Sequence, residues 1–210
     1  MANAFLTIAT TPSVLAAQAA NGSAGLYDKV GGHRPADRFG ATEAEFIARR
    51  DSFYMASVSE RGWPYVQHRG GPPGFLKMLD DVTLAFADFR GNRQYISLGN
   101  VAANGRVALF LMDYPRRRRL KIYANIEARD ITNDPTLASM LDLAGYRAVP
   151  ERAFVLRLAA FDWNCPQHIT PRFTEGEVAA ASAPLHARVA DLEAENAALR
   201  AALVQKDFSA

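Results

Sequence analysis

Seven β-type stretches joined by short polar turns limit this chain to a mainly antiparallel β architecture. SFYMASV (52–58) and WPYVQHRG (63–70) flank Ser59-Glu60-Arg61-Gly62, a hairpin signal with glycine in the turn. GFLKMLD (74–80) and VTLAFAD (82–88) flank an acidic turn at Asp80-Asp81. RVALFLMD (106–113) and LKIYANIEARD (120–130) flank an arginine-rich tip, and AFVLRLAAFD (153–162) is the last strand. With few helices between them, six or seven such strands are expected to form a closed barrel rather than a parallel sheet. A helix at roughly 134–144 is inserted before the last strand, with Asn133 or Asp134 as its cap and Gly145 as its stop.

Residues 1–50 read as an arm with helical pieces. One helix opens at Pro12-Ser13 and stops at Asn21-Gly22-Ser23, and a second, over 42–50, has Thr42 and Glu45 spaced as a capping box. The expected organisation is an arm (1–50), a barrel domain (51–173) and a C-terminal helix (174–210).

At 210 residues and 49% hydrophobic content, the chain can bury one sizeable core. Charge is nearly balanced, 24 Lys plus Arg against 22 Asp plus Glu, which gives no reason to expect a nucleic-acid partner. The run Arg116–Arg119 is the local exception and reads first as a solvated hairpin tip. The single Cys165 rules out an intrachain disulfide within this sequence, and four scattered histidines have no metal-ligand spacing. No apolar run is long enough to span a bilayer. No Lys or Arg precedes Lys29, and Thr10-Thr11-Pro12-Ser13 breaks the apolar start, so the expectation is a cytoplasmic protein without a membrane partner.

Chemistry concentrates between Pro64 and Asn100. One strand ends in Gln67, His68, Arg69 and Gly70; the next empties into Arg90, Gly91, Asn92, Arg93 and Gln94, and the helix YISLGNVAAN follows at once. Cations, amides and free helix N–H groups would converge there on a phosphate or another small anion. Arg93 offers a planar fork, Gln94 an uncharged donor, and Ser97 a hydroxyl one turn later. Gly91 would let the loop turn tightly, and Gly70-Gly71 would let a ligand approach backbone. The plain reading is a polar turn that only caps a helix. Strand alternation sends His68 and Arg69 to opposite faces, so one of them faces inward or into an interface. A second patch, DWNCPQHITPRF (162–173), puts Trp163, Asn164 and Gln167 where an aromatic ring could be stacked and its polar edge hydrogen-bonded. No sequence pattern of a triad hydrolase, zinc protease, nucleotide triphosphatase or Rossmann domain occurs.

The tail is different material. Leu185, Val189, Leu192, Asn196, Leu199 and Leu203 alternate at four- and three-residue spacing, a d-a-d-a-d-a heptad seam. With Asn196 at an a position, Arg188 and Glu195 fall at g, and Glu193 and Arg200 at e. Such a helix folds back on its own domain or pairs with a second copy.

Taken together, WPYVQHRGGPPGFLKMLD, LAFADFRGNRQYISLGN, RVALFLMDY and WNCPQHITPRF resemble the pyridoxamine 5′-phosphate oxidase-related, FMN-binding split-barrel family, and within it the bacterial branch with FRGNRQ and CPQH motifs. The resemblance covers roughly residues 40–173 and leaves out the tail. It implies a six-stranded split barrel, a homodimer, and FMN at the subunit interface. Gln67, His68 and Arg69 match the strand that lies along the flavin. Asp88, Asn92, Arg93 and Gln94 match the phosphate loop, with Gln94 replacing a lysine whose lost charge Arg69 is expected to offset. Arg119 lies near a flavin-contacting position, and Trp163 to Gln167 match the segment contributed by the second subunit. The family's substrate-gripping C-terminus is replaced here by QHITPR, so pyridoxamine phosphate oxidation is not expected. What the resemblance implies is an FMN-dependent oxidoreductase working through flavin N5, with NAD(P)H as a plausible donor. The alternatives are a non-catalytic FMN-binding or sensing homodimer and a dimeric scaffold with a vestigial pocket.

Overall fold

A computed structural model describes residues 4–26, 37–163 and 166–207, with side chains described as far as 202. The chain forms two compact units, residues 1–169 and 170–210.

In the first unit the helices are α1 (Ala4–Ala9), α2 (Pro12–Ala20), α3 (Ala41–Ala48), α4 (Ile96–Ala103) and α5 (Pro135–Leu141). The strands are β1 (Ser52–Val58), β2 (Pro64–Gly70), β3 (Lys77–Asp80), β4 (Thr83–Phe89), β5 (Arg106–Asp113), β6 (Arg118–Arg129) and β7 (Pro150–Trp163). All seven join one antiparallel sheet in the order β2-β1-β5-β6-β7-β4-β3. Among the described residues there are thus seven strands where the family resemblance implied six.

The barrel is split, as the family resemblance implies, and not closed as strand count alone suggested. Hydrogen bonding runs from β2 to β3 without joining the two edges. The sheet curls so that the inner residues of β1 and β4 meet: Phe53 packs edge-on against Phe86 at 5.2 Å. Alternation along each strand sends Phe53, Met55, Leu84, Phe86, Leu109, Leu111, Leu120, Ile122, Phe154 and Leu156 into this core. β4 is buried on both sides, because Ala85 and Ala87 pack under Leu137 and Leu141 of α5.

α3 plugs one end of the core with Phe46 and Ile47, so part of the expected arm belongs to the barrel. Its cap is not the Thr42–Glu45 pair. Gly40 is the N-cap, and its N–H donates to Glu43 Oε2 at 2.8 Å. The other oxygen of Glu43 accepts from Trp163 Nε1 at 2.7 Å. Asp134, by contrast, caps α5 as the sequence predicts, accepting from Leu137 N–H at 2.9 Å, although that helix ends at Leu141, short of Gly145.

β3 starts at Lys77 rather than residue 74 because Gly74 adopts φ 84° and Phe75 and Leu76 turn into the core. Gly71 serves this packing, not a ligand: a Cβ there would lie 2.8 Å from Phe75 Cβ and Cγ. At Gly70 the neighbour would be His68 Cε1, at 3.1 Å.

Across the split, side chains replace the missing backbone bonds. Asp88 is buried near the C-terminal end of β4; Arg69 Nη1 on β2 reaches its Oδ1 at 2.7 Å and Arg152 Nη1 on β7 its Oδ2 at 2.5 Å. Asp88 and Arg152 are direct cross-strand partners, so the register of β4 on β7 sets this pair.

Two stability outcomes are expected. Asp88→Ala leaves two largely buried guanidinium groups without their shared carboxylate and should cost about 3 kcal/mol in urea unfolding. Gly71→Ala overpacks the Phe75 site and should cost about 1–3 kcal/mol, with partial recovery when Phe75→Val is added.

Candidate functional site

The split opens a cleft of about 200 Å³ between the inner face of β2 and the loop from β4 into α4. Tyr65, Gln67 and Arg69 supply one wall, since they alternate onto the inner face opposite Ser57, Met55 and Phe53 of β1. Asp88, Phe89 and Gly91 to Leu98 supply the other, with Glu151 at its base.

The loop is held in a conformation that non-glycine residues seldom adopt. Arg93 has φ 61° and Tyr95 φ 54°, both in the left-handed region. Gly91, expected to permit the turn, has no positive φ, so the unusual geometry falls on its neighbours. Three contacts enforce it. Asn92 Oδ1 accepts from Gln94 N–H at 3.1 Å, and the Tyr95 hydroxyl donates to Glu151 Oε1 at 3.2 Å. The Arg152 guanidinium lies 5.2 Å from the centre of the Tyr95 ring. Glu151 also receives Arg90 Nε at 3.0 Å and Arg152 Nη2 at 3.2 Å. The Arg90 hydrogen bond is the main reason its carboxyl titrates below the usual carboxylate range. Burial works against the charge of Arg152, but Asp88, Glu151 and Tyr95 together outweigh it and raise its pKa.

α4 begins directly from Tyr95, and no side chain caps it. Ile96, Ser97 and Leu98, the first three helical residues, all line the cleft. Unsatisfied helix N–H groups and the positive end of the helix dipole therefore face that space. Asn100 anchors the helix from below, its Nδ2 donating to Ser57 Oγ at 3.0 Å in a buried bond.

The arginines divide into two kinds. Arg69 is committed: it pairs with Asp88 and lies 5.5–5.8 Å from the Phe154 and Phe86 rings, with its Nε buried and unpartnered. It is therefore not a spare charge to offset Gln94, as the sequence led us to expect. Arg93 is exposed, and among the described residues no carboxylate forms an ion pair with it. A hydrogen bond with Tyr95, supported by the charge of Glu151, raises its pKa further. It is the cation left available to an anion.

Of the residues singled out in the sequence, Gln67, Arg69, Asp88, Asn92, Arg93, Gln94 and Ser97 come together here. Others do not. His68 points to the outer face, where it packs edge-on against Tyr54 at 5.6 Å. Arg119 lies on β6 over the Phe110 ring at 5.0 Å, with its own Nε buried and unpartnered. Trp163 is engaged within its own chain by Glu43, by Phe46 in an edge-on contact at 4.7 Å and by Arg118 at 4.5 Å. Its ring is thus taken up by packing that holds α3 against the barrel. Gln167 is exposed in a turn away from the cleft lining, and Asn164 and Cys165 lie outside the described residues.

Tyr65, Tyr95, Glu151 and Arg152 were missed. Glu151 and Arg152 precede the last apolar run, and only the added length of β7 (Pro150–Trp163) brings them beside β4. Among the described residues, no group of three or more His, Cys, Asp or Glu side chains is arranged to hold a metal ion. Nor is any helix there long and apolar enough to cross a membrane.

Three solved structures are among those similar to this chain. HupZ of Group A Streptococcus aligns with a TM-score of 0.48 and 14% identity, over 64% of this chain and 99% of that one. An FMN-binding protein from Syntrophomonas wolfei gives 0.45 and 15%, over 58% and 83%. A Clostridium acetobutylicum protein of the pyridoxinephosphate oxidase family, related to general stress protein 26, gives 0.44 and 14%, over 64% and 92%. No curated protein matches the sequence. The family profile described as pyridoxamine 5′-phosphate oxidase matches residues 40–160, more than half of the chain. This chain belongs to the pyridoxamine 5′-phosphate oxidase family.

Proposed function

We propose that the cleft holds the phosphate end of FMN and that the protein is a homodimeric, cytoplasmic flavin-dependent oxidoreductase. The observation that carries this reading is Arg93, a cation without a carboxylate partner among the described residues, beside an uncapped helix start. Arg69, Arg90, Arg93 and Arg152 face only Asp88 and Glu151 here, a surplus of positive charge suited to a phosphomonoester of about −1.5 to −2. Arg93 and Gln94 would bind the phosphate oxygens, and Ser97 would add its hydroxyl. Gln67 and the committed Arg69 would line the path toward the ring. When bound, FMN would supply the electron-carrying chemistry, leaving the protein to bind, orient and exclude water.

A cleft of about 200 Å³ is smaller than the roughly 300–1,000 Å³ of most ligand pockets, so a second surface is needed to enclose the ligand. The outer face of β1, β2, β5 and β6 suits a second copy. Tyr54, Val66, Phe110 and Tyr123, with Phe5 of α1, line an apolar hollow of about 350 Å³. Val66 is 60% exposed within a single chain. His68 and Arg119 lie on this same face, where a partner would meet them.

A second reading, FMN binding or sensing without turnover, draws on the charge pairing. Both carboxylates of the cleft are tied to arginines, and its one nearby histidine points away.

Purified protein titrated with FMN should quench flavin fluorescence with a one-per-chain endpoint. Arg93→Ala should weaken binding about 10- to 100-fold, the worth of a charge-assisted contact. Unchanged affinity would remove the phosphate assignment. NADH or NADPH consumption with an added acceptor then separates the two readings: an oxidoreductase exceeds the rate of free FMN, and a binding protein does not.

A further inference from the structure

Among the described residues, the second unit contains one helix, α6 (Glu175–Asp207), of 33 residues. It opens with a capping box: Thr174 N–H donates to Glu177 Oε2 at 2.9 Å and Glu177 N–H to Thr174 Oγ1 at 3.2 Å. Pro184 sits one residue ahead of the first seam position. Leu185, Val189, Leu192 and Leu199 are 65%, 45%, 46% and 59% exposed. Leaving a stripe of four large apolar side chains half-exposed to water is unfavourable, and a partner surface that covered them would remove that cost.

We propose that α6 pairs with α6 of a second copy as a parallel, in-register, two-stranded coiled coil. Two features select this occupant. The flanking charges are self-complementary: g reaches the partner's e five residues on, so Arg188 meets Glu193 and Glu195 meets Arg200 in both directions. An acidic or basic partner helix would satisfy only half of them.

Those charges alone do not set orientation. In an antiparallel pair that keeps all six core layers, g faces g and e faces e. Arg188 then meets Glu195 and Glu193 meets Arg200, again with opposite signs. Asn196 decides. Antiparallel packing sets it against Leu192 and leaves its amide without a partner in an apolar layer, which is costly. Parallel packing stacks Asn196 on Asn196, where each amide can bond the other. This pairing does not depend on flavin binding, and it stands or falls apart from the function proposed above.

The test uses the full chain carrying Cys165→Ser, with one cysteine placed on α6. Leu199→Cys should form a covalent dimer under mild oxidation at least 10-fold faster than Ala197→Cys, which faces outward. A mixture of Val189→Cys and Leu199→Cys chains that cross-links to each other in preference would establish the antiparallel pair and overturn the proposal. Equal rates at positions 197 and 199 would overturn it as well. On the Leu199→Cys chain, Arg188→Glu should slow cross-linking about 10-fold. Adding Glu193→Arg should restore it, because only the parallel arrangement brings those two positions together; failure to restore counts against it. FMN titration of the same variants should be unchanged, which keeps this outcome separate from that of the cleft.

Discussion

Asp88 stands at the mouth of the barrel with one oxygen turned to Arg69 across the split and the other to Arg152 along the sheet. Its position follows from strand alternation, since it shares a face with Leu84 and Phe86 but lies where the core gives way to solvent. A hydrophobic residue there would close the seam and fill the space above it. A carboxylate instead holds two cations at fixed places and keeps the edge of β2 near β4 without zipping the two strands together. The gap that remains is the cleft. One anion between two cations also leaves net positive charge in a partly desolvated place, where it acts more strongly than it would in bulk water.

The same arrangement reaches the loop. Arg152 touches Asp88 on one side and the Tyr95 ring on the other, and Glu151 beside it holds Arg90 and the Tyr95 hydroxyl. Two adjacent residues at the start of β7 thus tie both ends of the segment 90–95 to the sheet. Arg93 lies between those ties, in a left-handed conformation that would otherwise relax. Its side chain can stay solvent-exposed and still be well positioned, because its backbone is fixed by contacts that it does not itself make.

The strands and most helix positions were legible in the sequence, because period-two burial and turn residues are local signals. SFYMASV and RVALFLMD were placed to the residue, and Asp134 was among the predicted caps. The loop between β4 and α4 was legible as one wall of a cleft, since polar residues between a strand and a helix stand out. Register was not. Whether Asp88 faces Arg152 depends on how β7 slides along β4, and nothing within VTLAFAD or AFVLRLAAFD states it. The roles of Gly71 and Trp163 failed to show for a related reason. Glycine beside proline reads as open space for a ligand, and a tryptophan ahead of a proline-interrupted segment reads as a stacking platform, until Phe75 and Glu43 fold back to occupy them.

β2 joins the cleft to the rest of the proposed assembly through its period of two. Tyr65, Gln67 and Arg69 face inward, while Val66 and His68 face outward onto the apolar hollow. As an edge strand β2 is also thin: nothing but its own backbone separates the two surfaces. A second copy seated on Val66 and Tyr54 would therefore bring its own atoms to the rim of the cleft without either barrel changing shape. The outward residues His68 and Arg119, which take no part in the cleft of one chain, lie on the face such a neighbour would cover. In the assembly proposed above, an edge strand with two differently dressed faces would make ligand enclosure and subunit association a single physical event.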